Sequence, residues 1–378
     1  MIIAFIMSAV EDIGTVTGLG QHQLNIVKGL MELSLGDKYV FVVNELVADQ
    51  LHDLYPNIRT YSYGKQFKLP RMFEKFYYFL NMWFLNQFIV PKAVRHIEPS
   101  IVFQPYNCIT IRTRWKYPYA LMVLDLYHRF FPDYMKKAKF RLTQKKHDAM
   151  MKNAGLIVTS STENKNHFKE FYPEFLSKVR VVPVPIDIDT SDYEKFEVKK
   201  PFILCVNSLR YHKNIHTLVK AFNLIKDRIE HNLILIGNSE WDEVDNISTG
   251  SDRIIFTGYI SSAQRNYLYS NTDLFISPTM FEGFGMTPLE AMLFERKVLV
   301  SDIPVMREST LGLAEYFGDI ENEEILAGRI LEVLEMEYPE GRLSAIKDRI
   351  LEEYNPRIIA DKIHSCLIGL VEADEDSN

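Results

Sequence analysis

Two glutamates separated by seven residues lie at the end of an apolar run in the C-terminal half of the sequence. Glu282 precedes a turn that contains Gly283 and Gly285, and Glu290 lies in the helical pattern that follows. Glycines let a backbone approach a ligand closely, and the free amides at a helix N-terminus favour anions. Carboxylates accept hydrogen bonds from sugar hydroxyls. The segment therefore predicts a site that binds phosphate through the backbone and a sugar through its side chains.

Glu290 also has a purely structural interpretation. Thr287-x-x-Glu290, with Pro288 at the first helical position, has the sequence of a capping box. Such a box would explain Glu290 but would leave Glu282 unexplained. We therefore expect a helix that begins at Thr287-Pro288 and a functional role for the pair of glutamates.

A second set of candidate residues is cationic. Arg210 and Lys213 follow an apolar strand pattern and precede an amphipathic helix pattern that starts at Ile215, with Asn214 as its predicted N-cap. Cations just before a helix N-terminus oppose the helix dipole. The two side chains therefore indicate an anion bound at this turn, and two solvated side chains are the alternative.

Two short patterns have the spacing of metal ligands. His212-x3-His216 lacks a third ligand, and Asp187-Ile188-Asp189 lies in a polar stretch, residues 187–200, that we interpret as an interdomain hinge. The 3 cysteines are far apart and lack CxxC spacing, which argues against a zinc site or a disulfide framework. We expect no metal at the site.

A glycine-bearing loop follows the first apolar run of the sequence. Gly14, Gly18 and Gly20 precede a helix pattern and would let the backbone approach a phosphate or a sugar. Their spacing is not G-x-G-x-x-G, so the dinucleotide fingerprint is not met. A nicotinamide dehydrogenase is therefore disfavoured, although Glu45 after the second predicted strand would suit ribose binding.

These segments together resemble the family 4 retaining glycosyltransferases, which have the glycosyltransferase-B fold. The context E-G-F-G-x-x-P-L-E-A-M around Glu282 and Glu290 is the E-x7-E signature of that family. The resemblance implies that Glu282 lies by the donor sugar and that Glu290 holds the nucleotide ribose. It also implies that Lys213 and Arg210 neutralise the leaving diphosphate.

The N-terminal half resembles the same family through the run from Asp125 to Pro132. Asp125 and His128 match the H-D-L-x-H-x-x-F-P segment that lines the cleft, with Leu124 in place of the leading histidine. The resemblance implies that the catalytic residues are Glu282, Lys213, Arg210, His128 and Asp125, and that the donor-binding residues are Gly18, Gly20, Ser208, Phe284, Gly285, Met286, Thr287 and Glu290.

The elements that must position these residues are alternating strands and helices. β-rich apolar runs alternate with helical patterns, which is typical of parallel α/β sheets. We expect an α/β fold of two Rossmann-like domains facing a cleft: an acceptor-side domain at residues 1–190 and a nucleotide-sugar-binding domain at residues 200–355, with a closing helix at 356–372 that crosses back. The expected strands are Ile2–Met7, Tyr39–Val43, Ile101–Phe103, Ala120–Leu124, Leu156–Thr159, Val179–Val182, Phe202–Val206, Leu233–Ile236, Ile254–Thr257, Leu274–Ile276 and Val298–Val300.

The implied activity is retaining transfer of a hexose or deoxyhexose from a nucleotide-diphosphate sugar to a glycan or lipid-linked acceptor, in cell-surface polysaccharide synthesis. No cofactor or metal is expected. A nucleotide-sugar epimerase of the same fold and a non-catalytic glycosyltransferase-like subunit are the alternatives. Donor consumption with and without an acceptor separates the epimerase, and the presence of Glu282, Lys213 and Glu290 argues against the non-catalytic subunit.

The charge of the chain is uneven. The net charge is −7, but residues 61–153 carry 17 Lys/Arg against 5 Asp/Glu, which makes that segment +12 and leaves −19 elsewhere. Aromatic residues are interleaved with these charges at residues 67–88, as in segments that lie at a membrane interface, and a core helix is the alternative. Because no signal peptide or membrane-spanning run is apparent, we expect a cytoplasmic protein, peripheral on the inner face of an anionic membrane and without a nucleic-acid partner.

Overall fold

The structure is a computed structural model that describes residues 1–7, 10–13, 18–64, 83–106, 114–134, 137–237 and 251–375. The chain divides into two compact units, one formed by Met1–Pro185 with Asn355–Asn378 and the other by Ile186–Tyr354. Each unit contains a parallel sheet with helices between its strands, so the predicted α/β fold class is confirmed.

The sheet of the first unit has strands that pair only in parallel within the described residues, in the order β3-β2-β1-β4-β5-β6-β7. These strands are β1 Ile3–Ile6, β2 Tyr39–Asn44, β3 Thr60–Tyr63, β4 Ile101–Gln104, β5 Tyr119–Met122, β6 Leu156–Thr159 and β7 Val179–Val181. The helices of the unit are α1 Gly18–Glu32, α2 Glu45–Leu54, α3 Val90–Ile97, α4 Tyr127–Phe130, α5 Lys137–Asn153, α6 Thr162–Phe171 and α13 Pro356–Glu375, and a π-helical turn at Leu85–Ile89 precedes α3.

Both faces of this sheet are buried. Along β1, Ile3 and Phe5 belong to one apolar cluster, whereas Ala4 and Ile6 belong to another. Successive side chains of a strand point to opposite faces, so a continuous apolar run fits a strand that is covered on both sides.

The last helix, α13, packs on α1 and joins the core of the first unit through Ile359, Ile363 and Leu367. The two helices are in close contact at Gly29, where an added Cβ would lie 2.0 Å from the Pro356 carbonyl oxygen. A glycine is therefore needed at that crossing.

The sheet of the second unit is also parallel throughout its described pairs, in the order β10-β9-β8-β11-β12-β13. Its strands are β8 Phe202–Val206, β9 Asn232–Ile236, β10 Ile254–Gly258, β11 Leu274–Ser277, β12 Lys297–Ser301 and β13 Glu315–Phe317. Its helices are α7 Ile215–Ile225, α8 Ser262–Asn271, α9 Met286–Leu293, α10 Pro304–Ser309, α11 Glu323–Glu335 and α12 Arg342–Glu353.

The predicted strands are all present, with small differences at their ends. The largest difference is at β5, which ends at Met122 rather than at Leu124. Two edge strands were not predicted. β3 is half-exposed, and β13 is three residues long, so neither carries an apolar run that its sequence would reveal.

Two further predictions concern segments outside the sheets. The polar stretch at residues 187–200, interpreted as a hinge, contains no helix or strand. No helix in the described part of the chain is both long enough and apolar enough to cross a membrane.

Candidate active site

The candidate site in the second unit is built on two turns that follow neighbouring strands. β8 and β11 pair with each other, and their carboxyl ends therefore meet at one edge of the sheet. The turn after β8 leads into a short 3-10 turn, Tyr211–Lys213, and then into α7. The turn after β11 leads into α9.

Two hydrogen bonds to one backbone oxygen connect these two turns. The His212 carbonyl oxygen accepts a hydrogen bond from the Met280 amide at 2.7 Å and another from the Thr279 hydroxyl at 3.1 Å. His212 is itself buried, and burial together with Lys213 and Arg210 lowers its pKa to about 3. A neutral His212 thus sits beneath the cationic turn and adds no charge to it.

These hydrogen bonds hold the two turns so that the Lys213 ammonium group lies against the Glu282 carboxylate. The two side chains form an ion pair through Glu282 Oε1, and only 13% and 15% of their surfaces are exposed. Since water is largely excluded, this pair is screened less than a surface pair would be. The structure therefore brings together a predicted cationic group and a predicted carboxylate that are 69 residues apart.

Asn214 occupies the predicted N-cap position of α7, but its side chain does not cap the helix. It has a left-handed backbone conformation, with φ of 57°. Its Nδ2 donates to the Ile320 carbonyl oxygen at 2.6 Å, and its Oδ1 accepts from the Thr217 hydroxyl at 2.6 Å. The side chain thus stabilises the turn through tertiary contacts.

The predicted capping box at Thr287 and Glu290 is wrong. Gly285 is the N-cap residue of α9, with φ of 86°, and the helix begins at Met286 without a side-chain cap. Thr287 consequently lies inside the first helical turn and cannot serve as the N-cap. The first amides of a helix have no partner within it, so the N-terminus of α9, which begins shortly after Glu282, has the polarity that favours an anion.

Glu290 is buried, with 5% of its surface exposed, and it has a tertiary partner instead of a capping role. The Tyr269 hydroxyl of α8 donates to Glu290 Oε2 at 2.8 Å. Arg265, one turn earlier on the same helix, lies near enough for Glu290 to raise its pKa. A buried carboxylate with defined neighbours can receive hydroxyl donors from a ligand in a fixed direction.

Ser208 and Arg210 are exposed on the turn after β8, where the Arg210 amide donates to the Ser208 carbonyl oxygen at 2.8 Å. The backbone of this turn is in close contact with Gly237, which directly follows β9 and has φ of 146°. A Cβ on Gly237 would lie 1.9 Å from the Asn207 carbonyl oxygen. Our sequence analysis missed Gly237, although a glycine immediately after a buried strand was an available signal.

The predicted residues of the first unit have different surroundings. Gly18 is exposed and Gly20 is buried in the first turn of α1, whereas Gly14 lies outside the described residues. Asp125 accepts a hydrogen bond from the Tyr127 amide at 2.9 Å, which starts the short helix α4.

His128 is buried among aromatic groups of the first unit. Its Nε2 lies 3.4 Å from the Tyr172 hydroxyl, and its ring meets that of His147 edge-on with 4.4 Å between centroids. Burial, aided by Arg129, lowers the pKa of His128 to about 4. The described contacts thus suit a neutral interior histidine, and its catalytic role stays a prediction.

The described residues contain no group of three or more His, Cys, Asp or Glu side chains placed to hold a metal ion. Asp189, one of the two aspartates with metal-ligand spacing, accepts hydrogen bonds from the Ser191 amide at 2.9 Å and the Ser191 hydroxyl at 2.6 Å.

Comparison with known proteins agrees with this geometry. Residues 188–350 match the family model described as glycosyl transferases group 1. The O-antigen chain mannosyltransferase RfbU of Salmonella typhimurium is 25% identical over 305 residues, covering 77% of this chain and 80% of that protein. The α-1,3/1,6-mannosyltransferase ALG2 of Saccharomyces cerevisiae is 22% identical over 284 residues, covering 61% of this chain and 56% of that protein.

Solved structures share the fold over nearly the whole chain. Sucrose-phosphate synthase from Thermosynechococcus elongatus has a TM-score of 0.73 at 16% identity, covering 98% of this chain and 99% of that chain. HepE from Anabaena, solved in complex with UDP and glucose, has a TM-score of 0.65 at 15% identity, covering 98% and 100%. The chain has the glycosyltransferase-B fold and is a glycosyltransferase, and its second unit matches the model of glycosyl transferases group 1.

Proposed function

We propose that this chain transfers a hexose, with retained anomeric configuration and without a metal, from a nucleotide-diphosphate sugar to a glycan or lipid-linked acceptor. The observation that carries the proposal is the ion pair of Lys213 and Glu282 beside the N-terminus of α9, with the buried Glu290 one helical turn further on. This arrangement offers a cation and backbone amides to a diphosphate, and carboxylates to sugar hydroxyls.

Stabilisation of the leaving group is the main chemical requirement. As the bond between the anomeric carbon and the diphosphate breaks, negative charge develops on the phosphate oxygens. Lys213, Arg210 and the first amides of α9 supply positive potential to that charge, which is the role a metal ion has in other transferases. The acceptor oxygen then bonds to the anomeric carbon, and its proton passes to the released diphosphate.

The names of the relatives favour mannose as the transferred sugar. The two relatives described above are both mannosyltransferases, and another is the serotype-specific mannosyltransferase WbdA of Escherichia coli, 30% identical over 124 residues that cover 15% of that protein. Since RfbU acts in O-antigen synthesis by its name, we place this chain in cell-surface polysaccharide synthesis.

A membrane-proximal acceptor is supported by one surface of the first unit. Trp83, Phe84 and Phe88 expose 40%, 51% and 52% of their surfaces around the π-helical turn that precedes α3. Lys92 and Arg95 are exposed on the adjoining helix α3. Exposed aromatic rings beside basic residues suit the interface of an anionic bilayer.

The other basic residues of the segment 61–153 are only partly described. Lys65, Lys68, Arg71, Lys75 and Lys136 lie outside the described residues. Lys137, Arg141 and Lys145 are exposed at four-residue intervals on α5, which places a basic stripe along one side of that helix.

Sugar transfer from GDP-mannose to a polyprenyl-diphosphate-linked glycan tests the proposal. We expect glycosylated lipid and GDP in equal amounts, with transfer strongly reduced by Lys213→Met and unchanged by Lys220→Met. Lys220 is a matched control because it lies on α7, the helix that follows Lys213, and forms a surface ion pair with Glu323 of α11. Donor isomerisation without an acceptor would instead indicate an epimerase, and failure with GDP-, UDP-, dTDP- and CDP-sugars alike would refute the proposed function.

A further inference from the structure

The hydrogen bond from the Tyr269 hydroxyl to the Glu290 carboxylate is buried in the second unit. Tyr269 has no exposed surface, and its hydroxyl lies 2.8 Å from Glu290 Oε2. Its hydroxyl also lies 3.5 Å from the Thr287 carbonyl oxygen in the first turn of α9. One phenol of α8 thus contacts both the carboxylate and the backbone of the helix that carries it.

The ring of Tyr269 is fixed by its neighbours. It stacks on Phe294, with 5.5 Å between centroids and an interplanar angle of 12°, and it packs at 5.7 Å against Phe275 of β11. The helix that carries it starts with a complete capping box between Ser261 and Gln264. A phenol held in this way has little rotational freedom, so its hydroxyl points in one direction.

Arg265 adds a positive charge to the same carboxylate. It lies one turn before Tyr269 on α8, and Glu290 is the largest influence that raises the pKa of its guanidinium group. The Nε atom of Arg265 is buried without a hydrogen-bond partner. Since a buried cation needs an anion nearby, the Glu290 carboxylate stabilises the charged Arg265 guanidinium group.

One oxygen of Glu290 is left for a ligand. Tyr269 occupies Oε2, and among the described residues no side chain or amide donates a hydrogen bond to Oε1. A carboxylate oxygen can accept two hydrogen bonds, so the remaining capacity of Glu290 matches a pair of vicinal hydroxyl groups.

We propose that Tyr269 and Arg265 are positioning residues that fix the Glu290 carboxylate so that its free acceptor sites meet the ribose hydroxyls of the donor nucleotide. The inference rests on the proposed function, and it explains how the carboxylate that would contact the donor ribose is held in place. A free glutamate side chain loses rotamer entropy when it is ordered. Tyr269 and Arg265 impose that order during folding, so that donor binding does not have to.

The test compares nucleotides that differ by one ribose hydroxyl. GDP and 2′-deoxy-GDP, or UDP and 2′-deoxy-UDP where the chain binds uridine, are titrated into the full chain by calorimetry. We expect the wild-type protein to bind the ribonucleotide about tenfold more tightly than the deoxynucleotide, because a lost hydroxyl leaves one acceptor site of the buried carboxylate without a donor. Tyr269→Phe and Arg265→Gln should each reduce this ratio to about threefold or less.

The matched control is Tyr338→Phe. The Tyr338 hydroxyl donates to Glu315 Oε1 at 3.0 Å, beside Arg342 and Arg329, which reproduces the chemistry of the Tyr269 cluster elsewhere in the second unit. We expect the loss of the Tyr338 hydroxyl to lower the melting temperature without changing the ratio of ribonucleotide to deoxynucleotide affinity. A merely structural role for Tyr269 would give the same pattern as this control.

Failure of the inference and failure of the proposed function give different results. If Glu290→Gln keeps the wild-type ratio, Glu290 does not hold the ribose and the proposed donor site is wrong. If Glu290→Gln abolishes the ratio while Tyr269→Phe and Arg265→Gln keep it, the positioning inference is overturned. Should Tyr269→Phe fail to fold, Arg265→Gln and the conservative Arg265→Lys, which we expect to restore part of the ratio, still decide the question.

Discussion

Lys213 and Glu282 form an ion pair between two turns whose only covalent connection runs through more than sixty residues of chain. The bonds that the Met280 amide and the Thr279 hydroxyl make to the His212 carbonyl oxygen hold these turns in place. A diphosphate that approaches Lys213 competes with Glu282 for the ammonium group. Donor binding would therefore free Glu282 to accept a hydrogen bond from the transferred sugar.

The first prediction concerns the two members of this pair. Lys213→Met should lower kcat about 10²- to 10³-fold, because the charge that develops on the diphosphate loses a positioned donor. The variant should also have a lower melting temperature, since Glu282 is left without its cation in a site that is mostly shielded from water. Transfer assays and thermal melts measure the two effects separately.

The double variant Lys213→Met/Glu282→Gln separates stability from catalysis. It should recover part of the lost melting temperature, because no unpaired charge remains, while transfer stays low. Wild-type transfer by Lys213→Met at subsaturating donor would mean that the diphosphate is bound elsewhere.

The second prediction concerns the glycine that begins α9. Gly285→Ala places a Cβ 2.7 Å from Met306 Cε at a residue with φ of 86°, so the backbone conformation opposes the change and the end of the buried Met306 side chain must shift. We expect weaker donor binding and a destabilisation of about 1–3 kcal/mol. Isothermal titration and thermal melts give both values.

Gly312→Ala is the matched control for this change. Gly312 also has a left-handed conformation, with φ of 71°, but nothing lies within 4 Å of its Cβ position. The Gly312→Ala variant should lose only about 1 kcal/mol of unfolding free energy, from backbone strain, and its donor binding should be unchanged. Equal loss of donor affinity in both variants would exclude a specific role for the turn at Gly285.

Much of the fold was predictable from sequence because the buried strands are apolar runs bounded by turns. The edge strands β3 and β13 were not, since their half-exposed residues have no such pattern. Glu282 and Lys213 were identified from local motifs. Their partnership, however, depends on the pairing of β8 with β11, which no local pattern encodes.

The mistaken capping box shows a limit of local reasoning. The sequence from Thr287 to Glu290 has the required residues, but the left-handed Gly285 starts the helix at Met286 and moves Thr287 out of position. Tyr269, the actual partner of Glu290, lies 21 residues earlier on another helix. Tertiary contacts of this kind can be read only from the assembled structure.

The third prediction concerns acid stability of the first unit. Burial lowers the pKa of His128 to about 4 and the pKa of His147 to about 3, below the unfolded value near 6.5. The unfolded chain then binds more protons between about pH 3 and 6.5, so stability is full above pH 6.5 and falls as the pH decreases through that window. Each histidine contributes up to about 1.4 kcal/mol per pH unit.

Replacement of one of these histidines should flatten the pH dependence. Denaturant unfolding of His147→Gln between pH 5 and 7 should show a smaller decrease than the wild type, whereas the exposed His52→Gln should not. If His128→Gln removes transfer at pH 7.5 without changing stability, His128 acts in catalysis and the interior role inferred from its contacts is wrong.

The fourth prediction is that transfer continues in excess EDTA. Lys213, Arg210 and the amides of α9 are proposed to stabilise the leaving diphosphate, so removal of divalent cations should change kcat less than about twofold. The measurement is the initial rate after dialysis against EDTA, with added Mg²⁺ and Mn²⁺ in parallel. A loss of activity that Mn²⁺ restores would return Asp187 and Asp189 to consideration as ligands.

The last prediction concerns the aromatic surface of the first unit, formed by Trp83, Phe84 and Phe88. The Trp83 and Phe88 rings lie 5.6 Å apart and the Phe84 and Phe88 rings 5.2 Å apart, so the three form one exposed cluster. We expect the chain to sediment with vesicles that contain anionic lipid, to be released as salt rises, and to bind neutral vesicles weakly. The variant with all three residues changed to alanine should lose most of this binding.

Charge reversal distinguishes a local membrane contact from general attraction. Lys92→Glu/Arg95→Glu on α3 should weaken binding by about tenfold or more, because each basic residue near an anionic bilayer contributes about 1 kcal/mol. The control Lys195→Glu/Lys199→Glu changes the net charge equally at exposed positions of the second unit and should have little effect. Equal binding to neutral and anionic vesicles, or equal loss in both double variants, would favour an acceptor that is free in solution.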